Sequence, residues 1–488
     1  MNKIKNENLV NKVYFYFPSY IPSGGGEPFL INLMKYLLDY TNIQVAVIDF
    51  IDGTITTNFQ DERVEYIAYD PNNYYFKLDE NSILFTPLDR ITTISRIANR
   101  QNVRILTILW ETIIGWDILC QKNEINKLGY LLKKKDAVLS IDEGCAVRGG
   151  KPLGVVFPQP YLPIYFPISS KVLKSSPKLI SKKQINFGWL GRLAYTKCLS
   201  LINLLECLYK SKDSRPKYFH IIGNGLYENE LKHIVEKYED KITFIFCGRM
   251  INEDRDNYIT NNIDVLFAMG TSMLNGAALK IPVIGMHETN IPISINKFLW
   301  IFDAQGLQLG QTNEKDNINP KAQQIDKVIE DIYDKGLKKE FGEKSYNYLV
   351  EHHANIKKIG NIFVEALYNT SLTYKDLKKL FKVMPYNSFI KKSIYIFGVS
   401  IYKLYLSPRE RHFLLFGRFR LFSAKYAQYS KKYYLFKIPL WKSYKKFNAC
   451  KFYLFFIKLF ALNIQTGYSF PDCIEKEKLR GKNFDEKK

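Results

Sequence analysis

Strand-length apolar runs, each followed by a turn and then by apolar positions at helical spacing, recur along the chain and predict an α/β architecture. Lys12-Val13-Tyr14-Phe15-Tyr16-Phe17 is the first such run, and the turn-rich stretch after it ends in Gly24-Gly25-Gly26-Glu27. Pro28 suits a helix's first position, Phe29, Leu30, Leu33, Met34, Leu37 and Leu38 recur at helical spacing, and Gln44-Val45-Ala46-Val47-Ile48-Asp49 reads as the next buried strand. Runs at Ile83–Phe85, Val103–Trp110, Ala137–Ile141 and Val155–Phe157 continue the pattern. From Pro158 to Lys183 the chain becomes rich in Pro, Ser and Lys, the composition of a linker.

Between Ile185 and Met286 strand-like and helix-like runs alternate more regularly. The predicted strands are Ile185–Leu190, Tyr218–Ile222, Ile242–Phe246, Val265–Ala268 and Pro282–Met286. Three of them run into glycine-containing loops, Gly191-Arg192, Gly223-Asn224-Gly225 and Gly270-Thr271-Ser272, each opening a predicted helix. Short crossovers between alternating β and α segments make a parallel sheet covered on both faces, and ligands of such sheets bind beyond the carboxyl ends of the strands. Gln305 to Lys321 reads as a polar loop and Asp326 to Ala366 as helical. The predicted division is a first α/β domain over 1–170, a second over 171–370 and an extension over 371–488.

Of the 488 residues 46% are hydrophobic and 24% charged, which excludes disorder as the whole answer. The net charge of +22 is unevenly placed: residues 371–488 hold 26 Lys/Arg against 7 Asp/Glu, and the remainder is nearly neutral. Met1 to Tyr20 lacks the unbroken apolar core of a secretory signal, so a cytoplasmic protein is expected. The apolar run from Phe452 to Ile464 is interrupted by Lys458 and falls short of the roughly 18 to 20 residues of a membrane-spanning helix. Seven scattered cysteines without a Cys-x-x-Cys pair argue against a disulfide scaffold or a zinc site, and the six histidines show no ligand spacing. No cofactor and no metal ion are expected.

Glycine-rich loops leading into helices suit phosphate, because backbone N–H groups point at the anion, the helix dipole favours it and absent side chains permit close approach. No Gly-Lys-Ser/Thr follows any of these loops, which excludes a P-loop, and Gly24-x-Gly26 lacks the third glycine of the dinucleotide fingerprint. Gly191-Arg192-Leu193-Ala194-Tyr195-Thr196-Lys197 places two cations just past a strand end, where they can neutralise a diphosphate and stabilise it as a leaving group; the alternative is a solvated surface pair.

At these residues the second unit resembles the donor-binding domain of GT-B glycosyltransferases of the retaining, nucleotide-sugar-dependent group 1 type. The likeness runs through Phe187-Gly188-Trp189-Leu190-Gly191-Arg192 with Lys197, Ile221-Ile222-Gly223-Asn224-Gly225 with Glu230-Leu231, and Phe246-Cys247-Gly248-Arg249. It continues through Asp264-Val265-Leu266-Phe267-Ala268-Met269-Gly270-Thr271-Ser272 and Ala277 to Ile284, and Gly24-Gly25-Gly26 matches the family's N-terminal glycine loop. The resemblance implies two Rossmann-like domains facing a cleft, with Arg192 and Lys197 on the donor diphosphate and the Gly25 region approaching from the opposite domain. It places Gly248, Arg249 and Met250 near the base, and Gly270, Thr271 and Ser272 near the phosphates and donor sugar. Where the family carries two glutamates, the alignment puts Phe267 and Asn275; Asn275 can still hydrogen-bond a ribose hydroxyl. Glu111, after Trp110 at a predicted strand end, and Glu27 beside the glycine loop are the candidate acceptor contacts, with a structural role as the alternative for either.

The extension repeats itself. Ile396-Phe397-Gly398, Leu415-Phe416-Gly417, Leu435-Phe436-Lys437 and Leu454-Phe455-Phe456 place a central Phe at spacings of 19, 20 and 19, and mid-repeat Gly398, Gly417 and Pro439 favour strand-turn-strand units. Residues 371–470 hold 27 aromatics and 20 Lys/Arg, a mixture suited to an anionic membrane surface or to nucleic acid, or to the core of a small repeat domain. The repeats resemble those appended to glycosyltransferases of surface polysaccharide and lipopolysaccharide synthesis in bacteria, which favours the membrane over nucleic acid. The implied activity is sugar transfer from a nucleotide-diphosphate sugar to a lipopolysaccharide, capsule or lipid-linked glycan acceptor, by a protein peripheral to the inner face of the cell membrane. An inactive GT-B-like binding protein and a nucleic-acid binder are the rivals.

Overall fold

The computed structural model describes residues 9–20, 25–69, 78–94, 103–111, 122–168, 177, 179–287, 289, 291–310 and 319–380, together with eight strands between residues 392 and 463. Two parallel sheets with helices between their strands form the body. In the first, β1 (Lys12–Tyr16), β2 (Gln44–Asp49), β3 (Val64–Ala68), β4 (Ser82–Pro87), β5 (Arg104–Leu109) and β6 (Val138–Ser140) lie in the order β3-β2-β1-β4-β5-β6. Helices α1 (Gly26–Tyr40), α2 (Thr54–Asn58), α3 (Ile91–Ile94) and α4 (Lys122–Lys134) connect them. Every residue of β1 and β4 is buried, as expected of central strands packed on both faces.

The second sheet repeats that order. Strands β7 (Ile185–Leu190), β8 (Lys217–Ile222), β9 (Ile242–Gly248), β10 (Val265–Ala268), β11 (Val283–Gly285) and β12 (Leu299–Trp300) run β12-β11-β10-β7-β8-β9, all parallel except β12. Their helices are α5 (Tyr195–Tyr209), α6 (Glu228–Val235), α7 (Asn252–Asn262), α8 (Thr271–Ala278), α9 (Ile325–Ile329) and α10 (Lys338–His353). Strand order reverses between β1 and β4 in one sheet and between β7 and β10 in the other, and it is at such switch points that crossover loops diverge and leave a crevice.

Three sequence expectations are corrected. Val155–Phe157 forms no strand, and lies in an extended stretch that follows a short helical turn at Lys151–Leu153. The sequence pattern does not predict the short strands β3 and β12, because β3 has a single buried position and no alternation and β12 spans only two residues. The boundary at residue 370 also moves: α11 (Ile356–Asn369) and α12 (Tyr374–Leu380) return to the first domain, whose core takes in Ile359, Phe363, Leu367, Leu372 and Leu377. Gly360 permits this return, since a Cβ there would lie 2.3 Å from the Tyr36 ring of α1. The Arg104 guanidinium then donates to the carbonyls of Tyr368 and Thr370 at 3.2 and 3.1 Å, satisfying the C-terminal end of α11.

Beyond α12, strands β13 (Lys392–Ile396), β14 (Val399–Leu406), β15 (Glu410–Leu415), β16 (Phe419–Ala427), β17 (Ser430–Leu435), β18 (Ile438–Lys446), β19 (Ala449–Leu454) and β20 (Ile457–Asn463) pair antiparallel in sequence order. The repeated Phe397, Phe416, Phe436 and Phe455 lie outside the described residues, between the two strands of each pair.

At the edge of the second sheet away from the loops, Asp264 is fully buried and binds Lys338 Nζ at 2.7 Å, Tyr333 Oη at 3.0 Å and Asn186 Nδ2 at 3.0 Å. Burial pushes the Lys338 ammonium down, and Asp264 is the charge that opposes this. Removing one partner of such a pair strands the other, so Asp264→Ala is expected to lower unfolding stability by about 3 to 5 kcal/mol. Urea unfolding of the variant measures this, and a loss below about 1 kcal/mol would show the pair to be dispensable.

Candidate nucleotide-sugar site

The loops after β1, β7 and β10 are brought together. A Cβ built on Gly25 would lie 2.6 Å from Thr271 Cγ2, so the glycine bend of the first domain touches the first residue of α8 in the second. Gly26 opens α1, and Gly24 lies outside the described residues. Gly270 precedes α8 with a φ of +60°, a conformation that favours glycine and turns the chain sharply from β10 into the helix. Thr271 and Ser272 then form its first turn, whose N–H groups have no carbonyl one turn earlier to bond. The positive end of that helix faces Gly25.

Arg192 stands directly beyond β7, exposed, and among the described residues its guanidinium has no ion-pair or hydrogen-bond partner. Lys197 is half-buried in the first turn of α5. Both belong to the β7–α5 connection at the second sheet's switch point, Arg192 in its loop and Lys197 at the start of its helix, with Thr271 on the β10 side.

The remaining glycines serve chain packing as well as access. The Gly191 amide donates to Ile222 O at 3.0 Å, the Gly223 amide to Gly248 O at 2.8 Å and the Gly270 amide to Leu309 O at 2.7 Å. These three N–H groups are thus bonded to the ends of β8 and β9 and to the loop at Leu309. Cβ atoms on Gly223 and Gly225 would come within 2.0 Å of Gly191 O and 2.4 Å of Leu193 O, so these glycines let the loops after β7 and β8 lie against each other. Gly248, with a φ of +69°, has open space where its Cβ would be; Arg249 beyond it is exposed and Met250 half-buried.

Phe267 does not occupy a cleft position. It lies in β10, fully buried, with its ring 5.3 Å from that of Phe187 and 6.0 Å from that of Phe298. The connection from β10 to α8 is only Met269-Gly270, too short for a separate cleft-facing loop. Asn275 sits one helical turn after Thr271, half-buried, and donates from Nδ2 to Thr271 O at 3.0 Å, which leaves its Oδ1 to accept from a ligand hydroxyl.

The two candidate acids differ. Glu111 is exposed just past β5, beside Trp110, whose ring packs edge-on against Phe17. Glu27 is buried in the first turn of α1 and accepts from Asn58 Nδ2 at 2.6 Å, which ties α1 to α2. Burial raises its carboxyl above the ordinary range, opposed by the hydrogen bond from Asn58. Asp49, also buried, accepts from the backbone amides of Ser19, Phe50 and Ile55 and shapes the loops around β2. Among the described residues no group of three metal-ligating side chains converges.

Two Rossmann-like domains, each with its switch point toward the other's loops, define the GT-B fold. The structure of Anabaena Alr3699/HepE in complex with UDP is similar over 73% of this chain and 99% of its own, at 14% identity and a TM-score of 0.50. AviGT4, a glycosyltransferase involved in avilamycin A biosynthesis, covers 73% of this chain and 96% of its own at 10% identity and a TM-score of 0.41. Staphylococcus aureus TarM covers 59% of this chain and 55% of its own at 17% identity and a TM-score of 0.39. No protein-family model matches the chain, and no curated protein matches it by sequence.

The interdomain contact makes a direct test possible. Gly25→Ala is expected to drive a methyl into Thr271 and weaken the closed arrangement, and Thr271→Ala in the same chain to relieve the clash. The double-mutant cycle, read by urea unfolding, should give a favourable coupling of about 0.5 to 3 kcal/mol. Additive effects would mean that these residues do not meet.

Proposed function

We propose that the protein is a nucleotide-sugar-dependent glycosyltransferase that transfers a sugar, with retention, to a glycan or glycolipid acceptor of lipopolysaccharide, capsule or lipid-linked polysaccharide synthesis. One observation carries the reading: the Gly25 bend meets the first residue of α8, and the exposed Arg192 follows β7, the strand beside β10, at the second sheet's switch point. Arg192 and Lys197 neutralise the donor diphosphate, the amides of Thr271 and Ser272 donate to its oxygens, and glycine at 25 lets the phosphates approach the first domain's backbone. The charge that develops on the diphosphate as the sugar–oxygen bond breaks falls where these cations and the helix dipole stand. In a retaining reaction the departing phosphate oxygen takes the acceptor hydroxyl's proton while the new glycosidic bond forms on the same face. The resident ligand of HepE, UDP, supports a nucleoside diphosphate as the ligand class.

Arg192 is the sharper of the two cations to test, because it is exposed and its loss leaves the core intact. Arg192→Ala is expected to weaken nucleoside diphosphate binding about 10- to 100-fold, the range of one or two charge-assisted hydrogen bonds, with melting temperature unchanged. Titration calorimetry against UDP, GDP and CDP reads the loss. Affinity and turnover equal to the parent protein's would remove the phosphate assignment.

For the extension the reading is attachment to an anionic membrane surface at the inner face of the cell membrane. No helix among the described residues is long and apolar enough to cross a membrane. Support comes from the charge surplus and from register: Lys425, Lys432 and Lys442 occupy one row across β16, β17 and β18. Like charges in register repel, and an anionic surface offsets that cost, at about 1 kcal/mol for each cation near anionic lipid. Truncation after residue 385 is expected to abolish co-sedimentation with phosphatidylglycerol vesicles while leaving nucleotide affinity within about 2-fold. A truncated protein that still sediments, or a full chain that binds RNA and ignores vesicles, would overturn the membrane reading.

A further inference from the structure

The seam between the domains contains an acidic pair that the donor reading does not use. Asp142 and Glu143 follow β6 in the first domain, and the loop Gln305–Gly310 of the second domain lies against them. The Glu143 amide donates to Gly306 O at 2.8 Å, and its Oε2 accepts from Gln308 Nε2 at 3.1 Å. Gly306 has a φ of +60°, and a Cβ there would lie 2.3 Å from that of Glu143, so the bare glycine lets the loop lie directly against the Glu143 side chain. Asp142, buried, accepts from the Cys145 amide at 2.7 Å and, across the seam, from the Leu309 amide at 3.4 Å.

The same loop reaches the candidate donor site. Leu309 turns its amide toward Asp142 and its carbonyl toward the Gly270 amide, 2.7 Å away. Gly270 is the residue from which α8 starts, and its own carbonyl accepts from Met273 in the helix's first turn at 3.0 Å. A continuous path of hydrogen bonds therefore runs from the Asp142 carboxylate through one peptide unit on either side of Leu309 to the first turn of α8. The path is constrained at each end. A buried carboxylate deprived of a donor is costly, so Asp142 holds Leu309 in place. Gly270, at positive φ, can turn with small changes in ψ, so its position depends on the carbonyl that fixes its amide. Tyr348 adds to the seam: its buried hydroxyl has no partner among the described residues, and the Asp142 charge, after burial, holds its proton on.

We propose that Asp142 and Glu143 are positioning residues that hold the Gln305–Gly310 loop and, through Leu309 and Gly270, set the first turn of α8 for the donor diphosphate. Domain contact and donor site are thereby coupled: separating the domains frees the loop, and with it the turn that receives the phosphates. The proposal rests on the donor reading above and adds to it two acids from the opposite domain that never touch the donor.

Hydrogen exchange of the full-length, ligand-free protein tests the coupling independently of any nucleotide. In Asp142→Ala and Glu143→Ala, the hydrogen-bonded amides of Gly270 and Met273 are expected to exchange at least about 10-fold faster than in the parent, whereas those of β7 and β8 stay unchanged. Glu143→Gln, which keeps an acceptor for Gln308, should restore slow exchange. In parallel, UDP and uridine are titrated calorimetrically. The alanine variants should bind UDP about 10-fold more weakly and uridine as before, because only the phosphates meet α8. Unchanged exchange at Gly270 overturns the proposal, as does an equal loss for UDP and uridine. If exchange quickens but the parent protein binds no nucleoside diphosphate, the donor reading fails and the mechanical coupling stands.

Discussion

The structure depends on the close approach of two chain bends from different domains. Gly25 and Thr271 come so near that a single methyl on the glycine would collide, which makes the two domains share one crevice and prevents them from acting as separate nucleotide folds. Each bend stands where its sheet's strand order reverses, and a parallel sheet can receive a ligand there without surrendering a strand. The chemistry that follows is modest in its demands. In the proposed reading an anion between them would meet an exposed guanidinium, a lysine and the positive end of a helix, and none of these requires a strongly shifted acid or base.

Holding that approach is the work of elements far from the crevice. Helix α11 leaves the second domain and inserts Phe363 and Leu367 into the first domain's core, close against α1 because Gly360 lacks a side chain. Arg104 secures the end of that helix through its carbonyls. His353, at the end of α10, adds a bond to Ile164 O at 2.8 Å, and burial holds its ring neutral, with a pKa near 4. The seam is thus made of backbone and buried polar contacts as well as apolar packing.

The central strands and the loops that follow them were legible because two independent patterns agreed: apolar runs of strand length, and glycine immediately after them. Ile185–Leu190 and Val265–Ala268 were read to the residue. What was not legible depends on contacts between distant segments. Nothing local distinguishes α11 from the helices before it, and it is contacts with distant residues, Phe15, Phe85, Tyr36 and Arg104, that assign it to the first domain. The resemblance set Phe267 at a cleft position by residue count alone, whereas the fold keeps it buried within β10. Glycine was also ambiguous. Gly25 and Gly270 shape the crevice, whereas Gly223 and Gly225 are required by the loop beside them, and a sequence shows both kinds alike. Asp142 and Glu143 carried no motif, only the weak signal of two acids after a short buried strand.

The account's central claim is that a diphosphate lies between the two bends. The most direct measurement is a crystal structure of the protein grown with the nucleoside diphosphate that binds it best. The account predicts phosphate oxygens within hydrogen-bonding distance of the Arg192 guanidinium and of the Thr271 and Ser272 amides, with Gly25 opposite. A nucleotide bound outside this crevice, or one whose phosphates face solvent while Arg192 turns away, would contradict it.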